Sequence, residues 1–250
     1  NAPAAFEGYP EFFMAHEIAH QWWGHGVGWQ NYHEQWLSEG FSQYFAALYA
    51  QRYRGEEVFQ GILRRMRRWS IDQSDQGPLH LGYRIGHIRN DGRAFRAIIY
   101  NKGAMVLHML RQMLGDEVFF RGLRRFYTSS RFRKVGSEDF RVAMEMEWGR
   151  SLQRFFEGWV YGAGLPRVVF SWRVDPNAPG TAVLRFEQTG PIYDLPATVT
   201  LDYADGRSED VIVPVVDGVV EATVPTKGTL RSASISRRDV SLASFAAPDR

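Results

Sequence analysis

The sequence predicts an α+β protein: a mainly helical domain over residues 1–165, followed by a small antiparallel β-sandwich module over residues 166–250. Two observations predict it. Up to about residue 162, apolar residues recur at helical spacing, as in Phe41, Tyr44, Phe45 and Leu48. After Gly162-Ala163-Gly164-Leu165-Pro166 the period changes to two, with Val168, Phe170, Trp172 and Val174 alternating with Val169, Ser171 and Arg173.

The helices follow in order. One carries the run from Met14 to Gly24, and a second holds Glu39 and continues through Tyr49. Glu56 to Trp69 is a third, ending before Ser70 and the Asp75-Gln76-Gly77-Pro78 breaker. Tyr100 to Leu114 stops at Gly115, a good C-cap residue. Ser137 opens a helix that Gly149 ends, and Ser151 caps another that runs to Tyr161. Strands are then predicted at 168–174, 182–188, 197–203, 210–216, 219–224 and 230–236, with turn signals at Asp175-Pro176-Asn177, Asp205-Gly206 and Asp217-Gly218.

Composition removes several classes of function. Hydrophobic residues at 44%, with 14% aromatic, exclude a disordered chain, because enough apolar surface exists to offset ordering entropy. A net charge of +2 gives no case for a polyanionic partner. Arg64, Arg65, Arg67 and Arg68 flank Met66 and Trp69 on a predicted helix, a solvated face rather than a nucleic-acid footprint. Without Cys, any metal must be held by His and carboxylates. No apolar run reaches the ~18 residues that a membrane-spanning helix needs.

His16, Glu17 and His20 form H-E-x-x-H. On an α-helix, residues four apart project from one face about 6 Å apart along the axis. Both imidazoles can therefore grip one Zn2+. Glu17, offset by about 100° from His16, lies beside the metal and can take a proton from its water. A catalytic zinc holds three protein ligands and a water. The third is Glu39, 18 residues after His20 in Trp36-Leu37-Ser38-Glu39-Gly40-Phe41, on a predicted second helix. Farther on, Tyr100-Asn101-Lys102-Gly103-Ala104 lies 61 positions beyond Glu39. Hydrolysis of a peptide on zinc builds negative charge on the carbonyl oxygen, which a phenol O–H stabilises. Trp22, Trp23, Trp36 and Phe41 are expected to pack around the metal helices, Lys102 to form a structural ion pair, and His25 to be either a residue supporting the ligands or a helix-end residue.

Taken together, H-E-x-x-H, the 18-residue gap, W-L-x-E-G-F and Y-x-K-G resemble the zinc aminopeptidases of the membrane-alanyl aminopeptidase and leukotriene hydrolase family; H-Q-W-W-G and Y-N-K-G-A-M-V-L are similar to it too. The resemblance covers roughly residues 10–165. It implies the C-terminal part of a thermolysin-like catalytic domain, one zinc per chain on His16, His20 and Glu39, Glu17 as general base, Tyr100 as transition-state stabiliser, and peptides as substrates. In that family a G-A-M-E-N-type motif and a large β-domain precede H-E-x-x-H. Here fifteen residues precede His16, without that motif, an initiator Met or a targeting segment. A catalytic domain truncated at its N-terminus is expected, with an upstream domain in the same parent protein. Two other classes compete. A zinc endopeptidase would use the same triad without recognising a free amine. A non-catalytic scaffold would have no use for Glu17, and such relatives typically lose a ligand or the base.

Overall fold

The computed structural model describes residues 9–239 and 241–248; the outer bounds of the two expected domains, residues 1 and 250, lie outside the described residues. Two compact units divide between Gly164 and Leu165.

The first unit is helical. Its elements are α1 (Phe12–Ala19), α2 (Trp36–Arg54), α3 (Glu56–Asp72), α4 (Gly92–Phe95), α5 (Gly103–Leu114), α6 (Asp116–Ser130), α7 (Ser137–Trp148) and α8 (Gln153–Phe156). Wider π-helical turns occupy Arg84–Ile88, Arg96–Lys102 and Glu157–Tyr161. Gly115 and Gly149 end α5 and α7 at φ of 79° and 75°, the left-handed region that costs glycine little. The N-cap of α8 is Leu152 rather than the expected Ser151, whose hydroxyl accepts from the Gln153 amide at 3.1 Å in a turn one residue earlier. The third helix runs on to Asp72, past the expected stop at Trp69; its Ser70 hydroxyl donates to the Met66 carbonyl, which keeps that polar group satisfied inside the helix. A two-residue parallel pair, β1 (Gly28–Trp29) with β2 (Lys134–Val135), ties the segment after α1 to the one before α7.

The core of this unit is aromatic. Phe41 of α2 meets Trp23 at 4.8 Å, Trp36 at 5.5 Å and Phe140 of α7 at 5.0 Å, and Phe126 of α6 meets Phe140 at 5.2 Å. Ring pairs at such spacing contribute about 0.5–1.5 kcal/mol beyond their buried area. Trp22 corrects the expectation for the tryptophans. It is 48% exposed, because the chain leaves the helix after Ala19 and turns Trp23 inward instead.

A polar network runs from a buried pair out to the surface among α2, α5 and α6. Arg111 donates to the Tyr44 hydroxyl, which shares a hydrogen bond of 3.0 Å with His108 Nδ1, and both Arg111 Nε and Nη2 reach the exposed Asp116 at 2.7 Å. His108 Nε2 is buried and has no hydrogen-bond partner among the described residues. Burial, with help from Arg111, pushes the imidazole down to about 3. Above the unfolded value of about 6.5 the ring is neutral in both states. As pH falls below that value, only the unfolded chain takes the proton, so stability falls. The loss between pH 7.5 and 5.5 is on the order of 1 kcal/mol. Urea unfolding of the metal-free protein and of His108→Phe at both pH values checks this: the parent's extra loss should vanish in the variant, and parallel losses would refute a neutral buried ring.

The second unit is all β: β3 (Arg167–Val174), β4 (Thr181–Thr189), β5 (Leu195–Tyr203), β6 (Ser208–Val215), β7 (Val219–Pro225), β8 (Leu230–Ile235) and β9 (Ser244–Ala246). They form a four-stranded sheet ordered β7-β4-β3-β9 and a three-stranded sheet ordered β6-β5-β8. Antiparallel registers run through both, as in Phe170 opposite Phe186 and Val199 opposite Val211. The exception is β9, which lies parallel to β3. Alternation carries the packing: Val168 and Phe170 are buried on β3, as are Val199, Leu201 and Tyr203 on β5.

Candidate metal centre

α1 turns Phe12, His16 and Ala19 inward and leaves Phe13, Met14, Glu17 and Ile18 exposed. His20 follows the last helical residue in helical conformation, its amide donating to the His16 carbonyl at 3.3 Å. The i,i+4 relation therefore holds, and the two imidazoles meet edge to face at 4.7 Å. Glu39, in the first turn of α2, faces them both. The Nε2 atoms of His16 and His20 are 3.1 Å apart, and Glu39 Oε2 lies 3.3 Å from each. Among the described residues this is the one group of three metal-binding side chains whose ligand atoms converge.

That convergence fits zinc. Ligands at ~2.0–2.1 Å in tetrahedral array stand about 3.3–3.4 Å from one another. Glu39 Oε2 is buried and accepts no aligned hydrogen bond. Two nitrogens and a carboxylate oxygen turned on one another, with an acceptor left over, form a donor set that a cation would satisfy. Burial raises the Glu39 carboxyl, but the two facing imidazoles outweigh it and hold the group down to about 2. Glu39 in turn raises His20, first through their close contact, against the opposing effect of burial.

The far side of His20 is built as carefully. Its Nδ1 lies 2.9 Å from the Trp23 carbonyl, 3.1 Å from Ser38 Oγ and 3.0 Å from Ser42 Oγ. Donation from Nδ1–H to the carbonyl leaves the Nε2 lone pair free for a metal. Ser38 also donates to the Trp23 carbonyl, at 3.1 Å. Gly24 makes the turn possible. Its φ is +122°, and a Cβ there would meet Ser38 Oγ at 2.6 Å. Sequence reasoning missed Gly24, Ser38 and Ser42 as functional residues. Their signal was their place: the serines stand one before and three after Glu39, on the helix that carries it.

Tyr100 reaches the site from the π turn Arg96–Lys102, a widened turn of a kind found often at functional positions. Its ring stacks on His16 at 5.5 Å and 8°, with Phe95 edge-on at 5.9 Å. Burial foremost, then the Glu39 carboxylate, raise the phenol, so it is a neutral O–H donor at ordinary pH. Glu17 is exposed, and its charge acts on both His20 and Tyr100. All five expected residues are thus brought together.

Two expectations, for His25 and Lys102, fare differently. His25 is exposed, and the groups around His20 Nδ1 are Trp23, Ser38 and Ser42. Lys102 forms no ion pair among the described residues; it is 1% exposed, and burial holds its amine down to about 8. His33 and His80 stack on each other at 4.3 Å, outside the ligand cluster.

Residues 11–159 match the family model described as the peptidase family M1 domain. The chain is similar to aminopeptidase N of Lactococcus lactis subsp. lactis, 27% identical over 172 residues, covering 67% of this chain and 20% of that protein. It is likewise similar to aminopeptidase M1 of Arabidopsis thaliana, 28% identical over 167 residues, covering 62% and 18%. In fold it is similar to the crystal structure of Legionella pneumophila aminopeptidase A in complex with aspartic acid, with a TM-score of 0.71 at 17% identity, over 96% of this chain and 27% of that one. The chain spans about a fifth of the length of the curated relatives it matches.

Proposed function

The chain belongs to peptidase family M1, whose domain model covers residues 11–159, and from that premise we propose that it is a zinc aminopeptidase, removing N-terminal residues from peptides. The observation that carries the proposal is the meeting of His16, His20 and Glu39 within 3.3 Å, with the Tyr100 ring stacked on one of them. We further infer that residues 1–165 are part of a thermolysin-like catalytic domain, and that the two sheets of residues 166–250 pair as a β-sandwich.

His16, His20 and Glu39 would hold the metal, with Trp23, Ser38 and Ser42 fixing the tautomer and tilt of His20. When bound, zinc lowers the pKa of its water toward about 7 and polarises a carbonyl. Glu17 takes the proton of the attacking water as that water adds to the scissile carbonyl, and returns it to the leaving amine. Its exposure suits this role, since the carboxylate must meet both water and substrate. The Tyr100 hydroxyl donates to the carbonyl oxygen as negative charge gathers there.

The test compares aminoacyl anilides having a free amine with their N-acetylated forms, with and without a chelator. Zinc-dependent release from the free-amine substrates, at least about tenfold faster than from the acetylated ones, is expected; recognition of a buried polar group commonly supports discrimination of that size or more. Equal cleavage of both sets would show an endopeptidase. Absence of bound zinc after zinc-supplemented preparation would overturn the metal assignment.

A further inference from the structure

Glu39 and Tyr100 belong to segments 61 positions apart, and the stacking of Tyr100 on His16 does not by itself fix how the 96–103 segment lies against α2. Two contacts between α2 and the 96–103 segment can do so. The first is backbone against backbone. A Cβ at Gly40 would stand 3.0 Å from Gly103 Cα and 3.1 Å from the Ile99 carbonyl oxygen, and a Cβ at Gly103 would stand 3.1 Å from Gly40 Cα. Only two glycines permit that approach, one next to Glu39 and the other three residues past Tyr100.

The second contact sets the register. Gln43 Nε2 donates to Asn101 Oδ1 at 2.9 Å, and both side chains are buried. Gln43 stands one turn beyond Glu39 on the same helix, so the two side chains leave α2 from nearly one face. Asn101 is the neighbour of Tyr100 within the π turn. The touching glycines fix how far apart the two segments lie, but they leave the turn free to slide or rotate. A directional, buried hydrogen bond removes that freedom, since breaking it strands polar groups away from water. With Asn101 pinned toward α2, the adjacent Tyr100 is aimed at His16, where its ring is found.

We infer that Gln43 and Asn101 are positioning residues for the reaction: their hydrogen bond, with the Gly40–Gly103 contact, sets the Tyr100 phenol relative to the Glu39 carboxylate. The inference rests on Tyr100 being the group that donates to the carbonyl oxygen. If the pair served stability alone, its loss would lower the unfolding temperature and have the same effect whether or not the phenol is present.

The experiment is a double-mutant cycle on the full chain, comparing the parent, Gln43→Leu, Tyr100→Phe and the double variant. Gln43→Leu should lower kcat about tenfold or more, since small misplacements near a reacting centre carry penalties of that order. KM should stay within about twofold and zinc content should be unchanged, as expected for an interaction used in the transition state. In the Tyr100→Phe background the same change should cost nothing further. An equal loss in both backgrounds overturns the inference. Should Gln43→Leu fail to fold, Gln43→Leu with Asn101→Leu removes both polar partners at once, and the cycle is run on that pair. A readout without metal separates this idea from the role of Tyr100. In the zinc-free protein with 3-fluorotyrosine at position 100, Gln43→Leu should broaden or shift the fluorine resonance. An unchanged resonance refutes the positioning role even if Tyr100 proves essential. A moved resonance with a fully active Tyr100→Phe refutes the role of the phenol instead.

Discussion

Glu17→Gln is expected to abolish turnover while zinc stays bound. Glu17 follows His16 directly, about 100° round the helix, so its side chain leaves from the exposed flank of α1 while His16 points inward. It is absent from the converging ligand group of His16, His20 and Glu39. The amide matches the carboxylate in size and shape, so α1 and both imidazoles should stay in place. What it loses is the capacity to accept a proton, and removal of a general base costs roughly 10²–10⁴ in rate. Elemental analysis and kcat should be read from one preparation, with Glu39→Gln beside it. The second variant weakens the anionic ligand, so zinc and activity should fall together there. Turnover by Glu17→Gln within about threefold of the parent would assign the base elsewhere, given how large the expected loss is.

The convergence of His16, His20 and Glu39 was legible because it is nearly local. His16 and His20 are one helical turn apart, and Glu39 stands one connection and a few residues later, so chain geometry alone nearly brings them together. The switch of period at residues 162–166 was legible for a similar reason: alternation such as Val168, Phe170 and Trp172 is written residue by residue. The support of His20 was not. It depends on where one backbone carbonyl points, and that is set by the positive φ of Gly24 and by Ser38 arriving from another helix. The short parallel pair β1–β2 is two residues long, too few to show a period. Tyr100 was expected to begin an α-helix; it sits inside a π turn of a helical run that starts at Gly92. Apolar spacing does not separate a widened turn from a regular one. α6 was legible and passed over, with Phe119, Leu123 and Phe126 buried at helical spacing.

The expected result for Tyr100→Phe is a fall in kcat with KM nearly unchanged. The substitution keeps the ring, so stacking on His16 at 5.5 Å and the edge contact with Phe95 at 5.9 Å should survive. Only the O–H is lost. In the ground state the substrate carbonyl is a modest acceptor, and the hydroxyl contributes little to binding. As water adds, charge concentrates on that oxygen and the same hydrogen bond strengthens, so its loss falls on the transition state. Removing one such donor costs about 10²–10³ in kcat. Burial and the nearby Glu39 carboxylate make the phenol harder to ionise, so it remains a donor where a phenolate would repel the developing charge. The measurement is kcat and KM on one free-amine substrate, with zinc content and unfolding temperature as controls on the same protein. A variant that raised KM tenfold at the parent's kcat would show the hydroxyl binding substrate uniformly. One that matched the parent in both would mean that another group donates to the carbonyl oxygen.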